Sequence, residues 1–439
     1  MKTPICDFVR RYADSGVLRL HMPGHKGIGD MERLDITEVS GADSLYEASG
    51  IIADSEKNAS ELFGCDTYYS TEGSSQCIRA MLYLAVLRAK EQGRKAVILA
   101  GRNAHKTFLS AAALIDFDVE WISPDESESY LSCRITAEKL ESAIDSSKEK
   151  PCAVYVTSPD YLGNFADIKA LSKVCKKYDM MLLVDNAHGA YLRFLTPSAH
   201  PMDLGADMCC DSAHKTLPVL TGGAYLHIAD ELIADNAKNA LALFGSTSPS
   251  YLILQSLDKA NAYLADEYKA KLSAFTEKVQ RVKQKLNQIG YKLVGDEPIK
   301  ITVEAKAYGY TGIELADILR SRGIECEFAD PDYIVLMLTP ESENAIESII
   351  SVMASITRKE PLKEKAPAFS KAERVICVRE AMFSPMESVS SENSMGRILA
   401  AASVGCPPAV PVVVCGERID EAAVKCFKYY GIENCTVVK

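Results

Sequence analysis

The chain has 439 residues, of which 47% are hydrophobic and 25% charged, and its formal net charge is −11. This composition is typical of a globular protein with more than one lobe. The acidic balance argues against a nucleic-acid partner, which would require a basic surface. No apolar run approaches the length of a membrane span, and the first residues lack the apolar core of a signal peptide. We therefore expect a soluble, cytoplasmic protein.

The 14 cysteines do not indicate a disulfide framework or a metal site. No two of them form a CxxC pair, and those near the C-terminus have neither zinc-site spacing nor neighbouring histidines. Small hydrophobic side chains in a reducing compartment are the better interpretation. We predict free, mostly buried cysteines and no bound metal.

The first polar segment, His21 to Gly27, contains Pro and Gly and is predicted to be a loop. It carries three basic or imidazole side chains but lacks the Walker A pattern of a phosphate-binding loop. Its composition favours a charged surface loop, and a loop facing an anion in an active site is the alternative.

A helix is predicted to end at Phe63, and Gly73-Ser74-Ser75 is predicted to open a long amphipathic helix that reaches Ala89. The backbone N–H groups of such a helix start, together with two hydroxyls, can bind a phosphate. The same residues are equally compatible with an ordinary helix N-cap.

From residue 96 onward, apolar strand patterns and amphipathic helix patterns alternate along the chain. The predicted strands cover residues 96–100, 119–122, 153–157, 180–185 and 207–210, and the predicted helices between them cover 104–115, 136–148 and 166–178. This alternation predicts an α/β fold with a parallel, doubly wound sheet. Polar residues follow four of the strands, at the sheet edge where such folds bind ligands.

Two of these strand ends carry Asp185 and Lys215. Pyridoxal 5'-phosphate (PLP) requires such a pair, because a lysine amine forms a Schiff base with its aldehyde and a carboxylate keeps its ring nitrogen protonated. His105, after an earlier strand, could stack on the ring, or it could be a helix cap or a surface residue. His188 could orient Asp185 or line the pocket. His214 could contact phosphate or move protons, or it could be structural.

The second half of the chain begins with a predicted strand over 221–228 and a Ser/Thr-rich loop around Thr247, a second possible anion site. A helical pattern follows over 251–288. Beyond it, a smaller α+β lobe is predicted, with strands at 291–294, 299–304, 324–328 and 333–338 and helices near 313–322 and 341–357. A charged linker at 359–371 and a proline-rich, extended tail complete the chain.

The predicted domains are an N-terminal segment (1–50), a PLP-binding large domain (51–250), a long helix with a small α+β domain (251–358), and a linker with a C-terminal subdomain (359–439).

Several separate motifs, in this order, make the chain resemble the ornithine/lysine/arginine decarboxylase family, PLP-dependent enzymes of the aspartate-aminotransferase fold (fold type I). The motifs are His21-Met22-Pro23-Gly24-His25-Lys26, Arg102-Asn103-Ala104-His105-Lys106, Val184-Asp185 with Ala187-His188-Gly189, Ser212 with His214-Lys215, Thr247-Ser248-Pro249, Gly396-Arg397-Ile398, and Pro407-Pro408 with Gly416-Glu417. The resemblance implies a large PLP-dependent transferase-like domain with a mainly parallel sheet, followed by a smaller C-terminal lobe.

The resemblance also implies roles for individual residues. Lys215 would be the Schiff-base lysine, Asp185 the partner of the ring nitrogen, and His105 the stacking ring. The side chains near the phosphate would be those of Ser74, Ser75, Ser212 and His214. Glu417 is a candidate partner for the distal cation of the substrate by resemblance alone.

The implied reaction is the α-decarboxylation of arginine, lysine or ornithine to an amine and CO2, as in polyamine biosynthesis. The residues leave open which of the three is the substrate, and whether Lys215, His105 or His214 returns the proton. Another fold type I reaction, such as transamination or elimination, and a non-catalytic PLP-binding protein remain alternatives.

The loop around Thr247 is implied to reach the phosphate of a neighbouring subunit, so a homodimer or a multiple of dimers is expected. The short start of the chain predicts no extra N-terminal domain of the kind that large family members carry. The sequence departs from the family pattern at Asn186, where Glu is usual, at Asp160, where Thr is common, and at Cys415, where Pro is usual.

Overall fold

The computed structural model describes residues 1–125, 129–401 and 410–439. The chain divides into two compact units, each built from two stretches of sequence. Unit 1 comprises Met1–Gly93 and Met181–Leu272, and unit 2 comprises Arg94–Met180 and Ser273–Lys439. The predicted domain boundaries at 50, 250 and 358 stay a prediction. The Pro407-Pro408 motif and the extended backbone predicted around it lie outside the described residues.

The helices and strands are numbered in chain order across both units. The helices are α1 (Pro4–Asp14), α2 (Ile51–Phe63), α3 (Ser74–Glu91), α4 (Lys106–Ile115), α5 (Ala137–Ser146), α6 (Ile168–Lys177), α7 (Ala213–Thr216), α8 (Glu231–Ala234), α9 (Ala237–Ala242), α10 (Tyr251–Ala265), α11 (Tyr268–Gln288), α12 (Gly312–Ser321), α13 (Ile346–Ala354), α14 (Val378–Phe383) and α15 (Glu421–Tyr429). The strands are β1 (Asp66–Ser70), β2 (Val97–Gly101), β3 (Asp118–Ile122), β4 (Ala153–Thr157), β5 (Met181–Asp185), β6 (Met208–Asp211), β7 (Ala224–Ile228), β8 (Lys292–Val294), β9 (Lys300–Glu304), β10 (Phe328–Ala329), β11 (Tyr333–Met337), β12 (Met386–Ser390) and β13 (Asn434–Val438).

In unit 1, four strands lie in the order β1-β7-β6-β5. β5 and β6 are parallel, whereas β7 is antiparallel to both β6 and β1. The middle strands β6 and β7 are buried along their whole length, as expected for strands covered on both faces. Helix α3 packs on them with its apolar side. The C-terminal ends of β5 and β6 therefore lie side by side at one edge.

In unit 2, three parallel strands lie in the order β4-β2-β3. A separate antiparallel sheet has the order β10-β11-β9-β8, and β12 pairs with β13 in a third. The C-terminal core of this unit gathers around the fully buried Phe427, with Leu399, Ile419 and Val437 against it. The alternation of strands and helices predicted from residue 96 onward is thus present.

Three predicted elements differ most from the observed ones in their bounds. The pattern over 251–288 forms two helices, because the backbone at Asp266 leaves the helical region (φ −94°, ψ −102°) while the apolar periodicity continues. The strand predicted at 324–328 is confined to β10, and a 3-10 turn that starts with Pro340 precedes α13. The elements α14, β12, α15 and β13 of the tail were not predicted, because the prolines of the tail indicate extended backbone.

The described cysteines are all free thiols, and most are buried, as predicted. Across the described ranges, no helix combines the length and the apolar character that a bilayer span requires.

Candidate active site

Lys215 and His188 meet at the adjoining ends of β5 and β6. Lys215 lies in the short helix α7, directly after β6, and His188 lies in the turn that follows β5. Lys215 Nζ is 3.0 Å from His188 Nε2, and His188 is buried. An imidazole nitrogen at this distance can accept a proton from the ammonium group or return one to the amine. The structure therefore gives His188 a direct contact with the lysine.

Asp185 is the last residue of β5, and only 2% of its surface is exposed. Its Oδ1 accepts a hydrogen bond from the backbone N–H of Ala187 at 3.3 Å and lies 3.7 Å from Cys210 Sγ. The carboxylate is thus held at the end of the strand next to the one that leads to Lys215. This is the placement predicted for it.

Gly73, Ser74 and Ser212 form a cradle of hydroxyl and backbone N–H groups at the start of α3. The Ser212 hydroxyl donates to Ser74 Oγ at 2.7 Å. The N-cap of α3 is Gly73, so no side chain takes the capping role that the sequence left open for the serines. Its backbone (φ 73°, ψ 177°) lies in a region that essentially only glycine adopts. Ser75 is the second residue of the helix, so its N–H points out of the first turn.

His214 lies beside this cradle. Its Nδ1 is 2.9 Å from the carbonyl oxygen of Gly223. Because a carbonyl oxygen only accepts, Nδ1 carries the proton of this contact. A Cβ placed on Gly73 would come within 3.9 Å of His214 Cε1, so the imidazole borders the start of α3.

Two other predicted site residues have contacts of their own. His105, in unit 2, is the N-cap of α4, and its Nδ1 accepts from the backbone N–H of Thr107 at 3.2 Å. The capping alternative is therefore present, and ring stacking stays a prediction. Thr247 is exposed on a loop of unit 1, where the N–H of Ser248 donates to Ser246 Oγ at 3.1 Å. Its reach toward a neighbouring subunit also stays a prediction.

The family model for "Orn/Lys/Arg decarboxylase, major domain" matches residues 3–303 of the chain. The chain belongs to the Orn/Lys/Arg decarboxylase family. This membership confirms the predicted enzyme class, an amino-acid decarboxylase.

Relatives match over most of their length. An arginine decarboxylase of Bacillus subtilis is 29% identical over 96% of this chain and 92% of its own. The uncharacterized protein YaaO of the same organism is also 29% identical, over 97% of this chain and 93% of its own. Among solved structures, the lysine decarboxylase LdcF of Francisella novicida superposes with a TM-score of 0.80 at 17% identity, covering 99% of this chain and 79% of that one. The predicted fold type I architecture is confirmed.

In this decarboxylase, the polar residues that follow strands β2 and β4 of unit 2 have buried polar partners within that unit. Arg102 Nη2 is 3.0 Å from Glu417 Oε2, and both side chains are buried. Burial lowers the pKa of the Arg102 guanidinium, and the Glu417 carboxylate opposes that shift. The same Glu417 oxygen accepts from the backbone N–H of Val414 at 2.9 Å. Glu417 thus already has a cationic partner within its own unit.

Asp160, which follows β4, is enclosed in a similar network. Its carboxylate accepts from the Ser132 hydroxyl and from Asn164 Nδ2, the latter at 2.9 Å. Burial raises its pKa, and these hydrogen bonds limit the rise. The residue borders a cavity of about 280 Å³ that Ser129, Thr157 and Tyr333 also line.

A buried cluster that was not predicted lies behind the site in unit 1. Asp211 Oδ2 is 3.0 Å from His200 Nε2 and 3.1 Å from His227 Nε2, and all three side chains are fully buried. Burial raises the pKa of Asp211, but the two imidazoles outweigh this effect and hold it below its usual value. Burial lowers the pKa of His227, which Asp211 opposes. Pairing of β6 with β7, which sets Cys209 opposite His227, could have indicated this proximity.

Proposed function

We propose that the chain is a PLP-dependent α-decarboxylase of a basic amino acid. The observation that carries the proposal is the 3.0 Å contact between Lys215 Nζ and His188 Nε2, next to the strand end that holds Asp185, in a member of this family. Arginine is the first substrate to test, because relatives that match most of the chain carry the name arginine decarboxylase. Lysine and ornithine are the others.

The residues of unit 1 fit PLP by the chemistry of their donors. Ser74, Ser75 and Ser212 would hold the phosphate with hydroxyls and the N–H groups at the start of α3. His214 would lie beside them. Lys215 would hold the aldehyde, Asp185 would face the ring nitrogen, and His105 would cover the ring. When bound, PLP supplies an electron sink for the bond that releases CO2.

The protein's own groups would manage the protons. Asp185 is a buried carboxylate, and such a group favours the protonated, positively charged form of a base placed against it. His188 Nε2 lies close enough to Lys215 Nζ to exchange a proton with it. The lysine amine can therefore be neutral when it must act as a nucleophile and charged when it must donate.

We further propose that the chain works as a homodimer or a multiple of dimers. Between residues 17 and 31 of unit 1, Leu18, Leu20 and Ile28 are 78%, 83% and 80% exposed. So dense a set of exposed apolar side chains is typical of an interaction surface. Light scattering should give two times the mass of one chain or a higher even multiple of it, and a monomer that turns over substrate would contradict this proposal.

The proposal is tested by incubating PLP-loaded protein with arginine, lysine and ornithine separately and scoring products by mass. One amine, released with CO2, is the expected result, and Lys215→Ala should yield none. A keto acid without CO2 would favour an aminotransferase. Bound PLP without turnover of any of the three would favour a non-catalytic protein. Failure to bind PLP would contradict the proposal that PLP is the cofactor.

A further inference from the structure

A fully buried hydrogen bond between two side chains that the proposed function does not use joins the segment of Asp185 to the segment of Lys215. Asn186 Nδ2 donates to Asp211 Oδ1 at 2.6 Å, and both side chains are fully buried. Asn186 directly follows Asp185, and Asp211 is the last residue of β6, four positions before Lys215. The two partners are therefore attached to the two halves of the candidate site.

The polarity of this bond is fixed by the histidines behind it. Asp211 Oδ2 is the acceptor for His200 Nε2 and His227 Nε2. His200 Nδ1 accepts from the backbone N–H of Met202 at 3.4 Å, which leaves the proton of a neutral ring on Nε2. Both oxygens of Asp211 are thus acceptors. Rotating the Asn186 amide by half a turn would place its oxygen against Asp211 Oδ1, so only one orientation is compatible.

We infer that Asn186 and Asp211 are a positioning pair, whose donor and acceptor hold Asp185 and Lys215 in their relative places on β5 and β6. This inference rests on the proposed function, since it concerns how the cofactor residues are held. Neither side chain needs to touch the cofactor. The pair acts through the turn after Asp185 and through the strand end that leads to Lys215.

A bound metal ion is the rival explanation of the same cluster. His200, Cys209, Asp211 and His227 bring their ligand atoms within 4.8 Å of one another. A metal would have to replace the N–H protons that both imidazoles direct at Asp211. The positioning pair instead predicts protein that contains less than about a tenth of an equivalent of zinc, copper or iron after purification without chelator.

The test exchanges the two groups. Asn186→Asp sets two carboxylates against each other, and rotating either side chain does not relieve this. Asp211→Asn sets an amide NH₂ against the NH₂ of Asn186, but a half-turn of the Asn186 amide, whose Oδ1 has no hydrogen-bond partner in the described structure, restores one donor and one acceptor. The double variant N186D/D211N restores one donor and one acceptor, with the oxygen of the new amide at position 211 left to face both histidines. Because a hydrogen bond to a charged group is worth about 1.5–3 kcal/mol, Asn186→Asp should weaken PLP binding about 10- to 150-fold, and Asp211→Asn should weaken it less. The double variant should recover most of this loss.

The measurements are the PLP dissociation constant and the absorption spectrum of the bound cofactor. The spectrum should shift in each single variant and return toward that of the wild type in the double variant. Asp258→Asn is the control, because this buried carboxylate of unit 1 accepts from Ser55 Oγ at 2.6 Å and holds α10 instead. It should lower the melting temperature and leave the spectrum of bound PLP unchanged.

A folded Asn186→Asp variant with the wild-type spectrum and PLP affinity would overturn the inference, and so would a double variant no better than Asn186→Asp. If the single variants do not fold, a folded double variant supports the pair and an unfolded one contradicts it. About one equivalent of bound metal per chain would favour a metal site in the cluster instead. Wild-type protein that binds no PLP would instead remove the proposed function, and the positioning role with it.

Discussion

The strand ends of unit 1 and unit 2 are similarly polar, but their side chains pair differently. In unit 1, an amine lies beside an imidazole, Lys215 and His188, with their nitrogens 3.0 Å apart. In unit 2, a guanidinium lies beside a carboxylate, Arg102 and Glu417, also 3.0 Å apart. The first is a pair of bases, which suits proton transfer. The second is a matched and buried ion pair, which holds the segment from Val414 to Glu417 in place.

This difference shows that a polar residue at the end of a strand is not reactive merely because of its position. What matters is whether the fold supplies a group of opposite charge or hydrogen-bond donors that satisfy the side chain. Asp160 follows the unit 2 pattern, because Ser132 and Asn164 donate to its carboxylate. The four experiments below test this comparison, from the largest expected effect to the smallest.

Replacing Lys215 by Ala should abolish the chemistry assigned to unit 1. Amine formation should fall by at least about 10³-fold, the scale on which enzymes lose a covalent catalytic group. The absorption band of covalently held PLP should disappear as well. Lys271→Ala is the control, because Lys271 is an exposed residue of the same unit that pairs with Glu267. A Lys215→Ala enzyme with a tenth of wild-type activity would contradict the proposal that the strand ends of unit 1 carry the reactive lysine.

Replacing Arg102 by Ala should destabilise unit 2, because it leaves the buried Glu417 without its cation. Breaking a buried ion pair costs about 3–5 kcal/mol, which urea unfolding can measure. Adding Glu417→Gln should recover part of the loss. The exposed pair of Lys177 and Glu141 is the control, and Lys177→Ala should cost less than about 1 kcal/mol. If Arg102→Ala and Lys177→Ala lower the free energy of unfolding equally, Arg102 does not hold the segment from Val414 to Glu417 in place.

Replacing Asp330 by Asn should stabilise the protein in a pH-dependent way. Burial raises the pKa of Asp330 to about 7. Between pH 4 and 7, the unfolded chain has lost this proton while the folded protein retains it, so stability falls as the pH rises through that window. Above pH 7, the buried and ionised carboxylate destabilises the folded protein by its full amount, roughly 2–4 kcal/mol. Asn keeps an acceptor for the N–H groups of Asp332 and Tyr333.

The gain from Asp330→Asn should therefore be largest at pH 8 and shrink toward zero at pH 4, measured as the free energy of unfolding in urea. Asp145→Asn, at an exposed position of the same unit, should show no such trend. A gain independent of pH would mean that Asp330 is ionised throughout.

Replacing Gly73 by Ala should weaken the cradle of unit 1. The backbone there (φ 73°, ψ 177°) is strained for any residue with a Cβ, at about 1–3 kcal/mol. We expect a loss of PLP affinity of about tenfold, measured by equilibrium dialysis. Gly16→Ala is the control, because Gly16 also has a positive φ of 71° but lies after α1 and not at the start of α3. Equal PLP affinity in both variants would contradict a role of Gly73 in binding PLP.

Much of the candidate site was predictable because patterns over a few neighbouring residues place its side chains. Apolar runs that end in Asp185 and before Lys215 indicate buried parallel strands, and the ends of such strands meet at one edge. The start of α3 was predictable from Gly73-Ser74-Ser75 for the same reason. The contact between His188 and Lys215 was not predicted in this form, since His188 was expected to orient Asp185 or to line the pocket.

The sequence by itself determined the alternation of strands and helices between residues 96 and 210, the family, and the positions of Asp185 and Lys215 at neighbouring strand ends. Only the tertiary structure decided which polar side chains bind each other, such as Arg102 and Glu417, which are 315 positions apart. Backbone propensity and apolar periodicity act over a few residues. A side-chain hydrogen bond instead requires two atoms to come within about 3 Å, and the whole fold sets that distance.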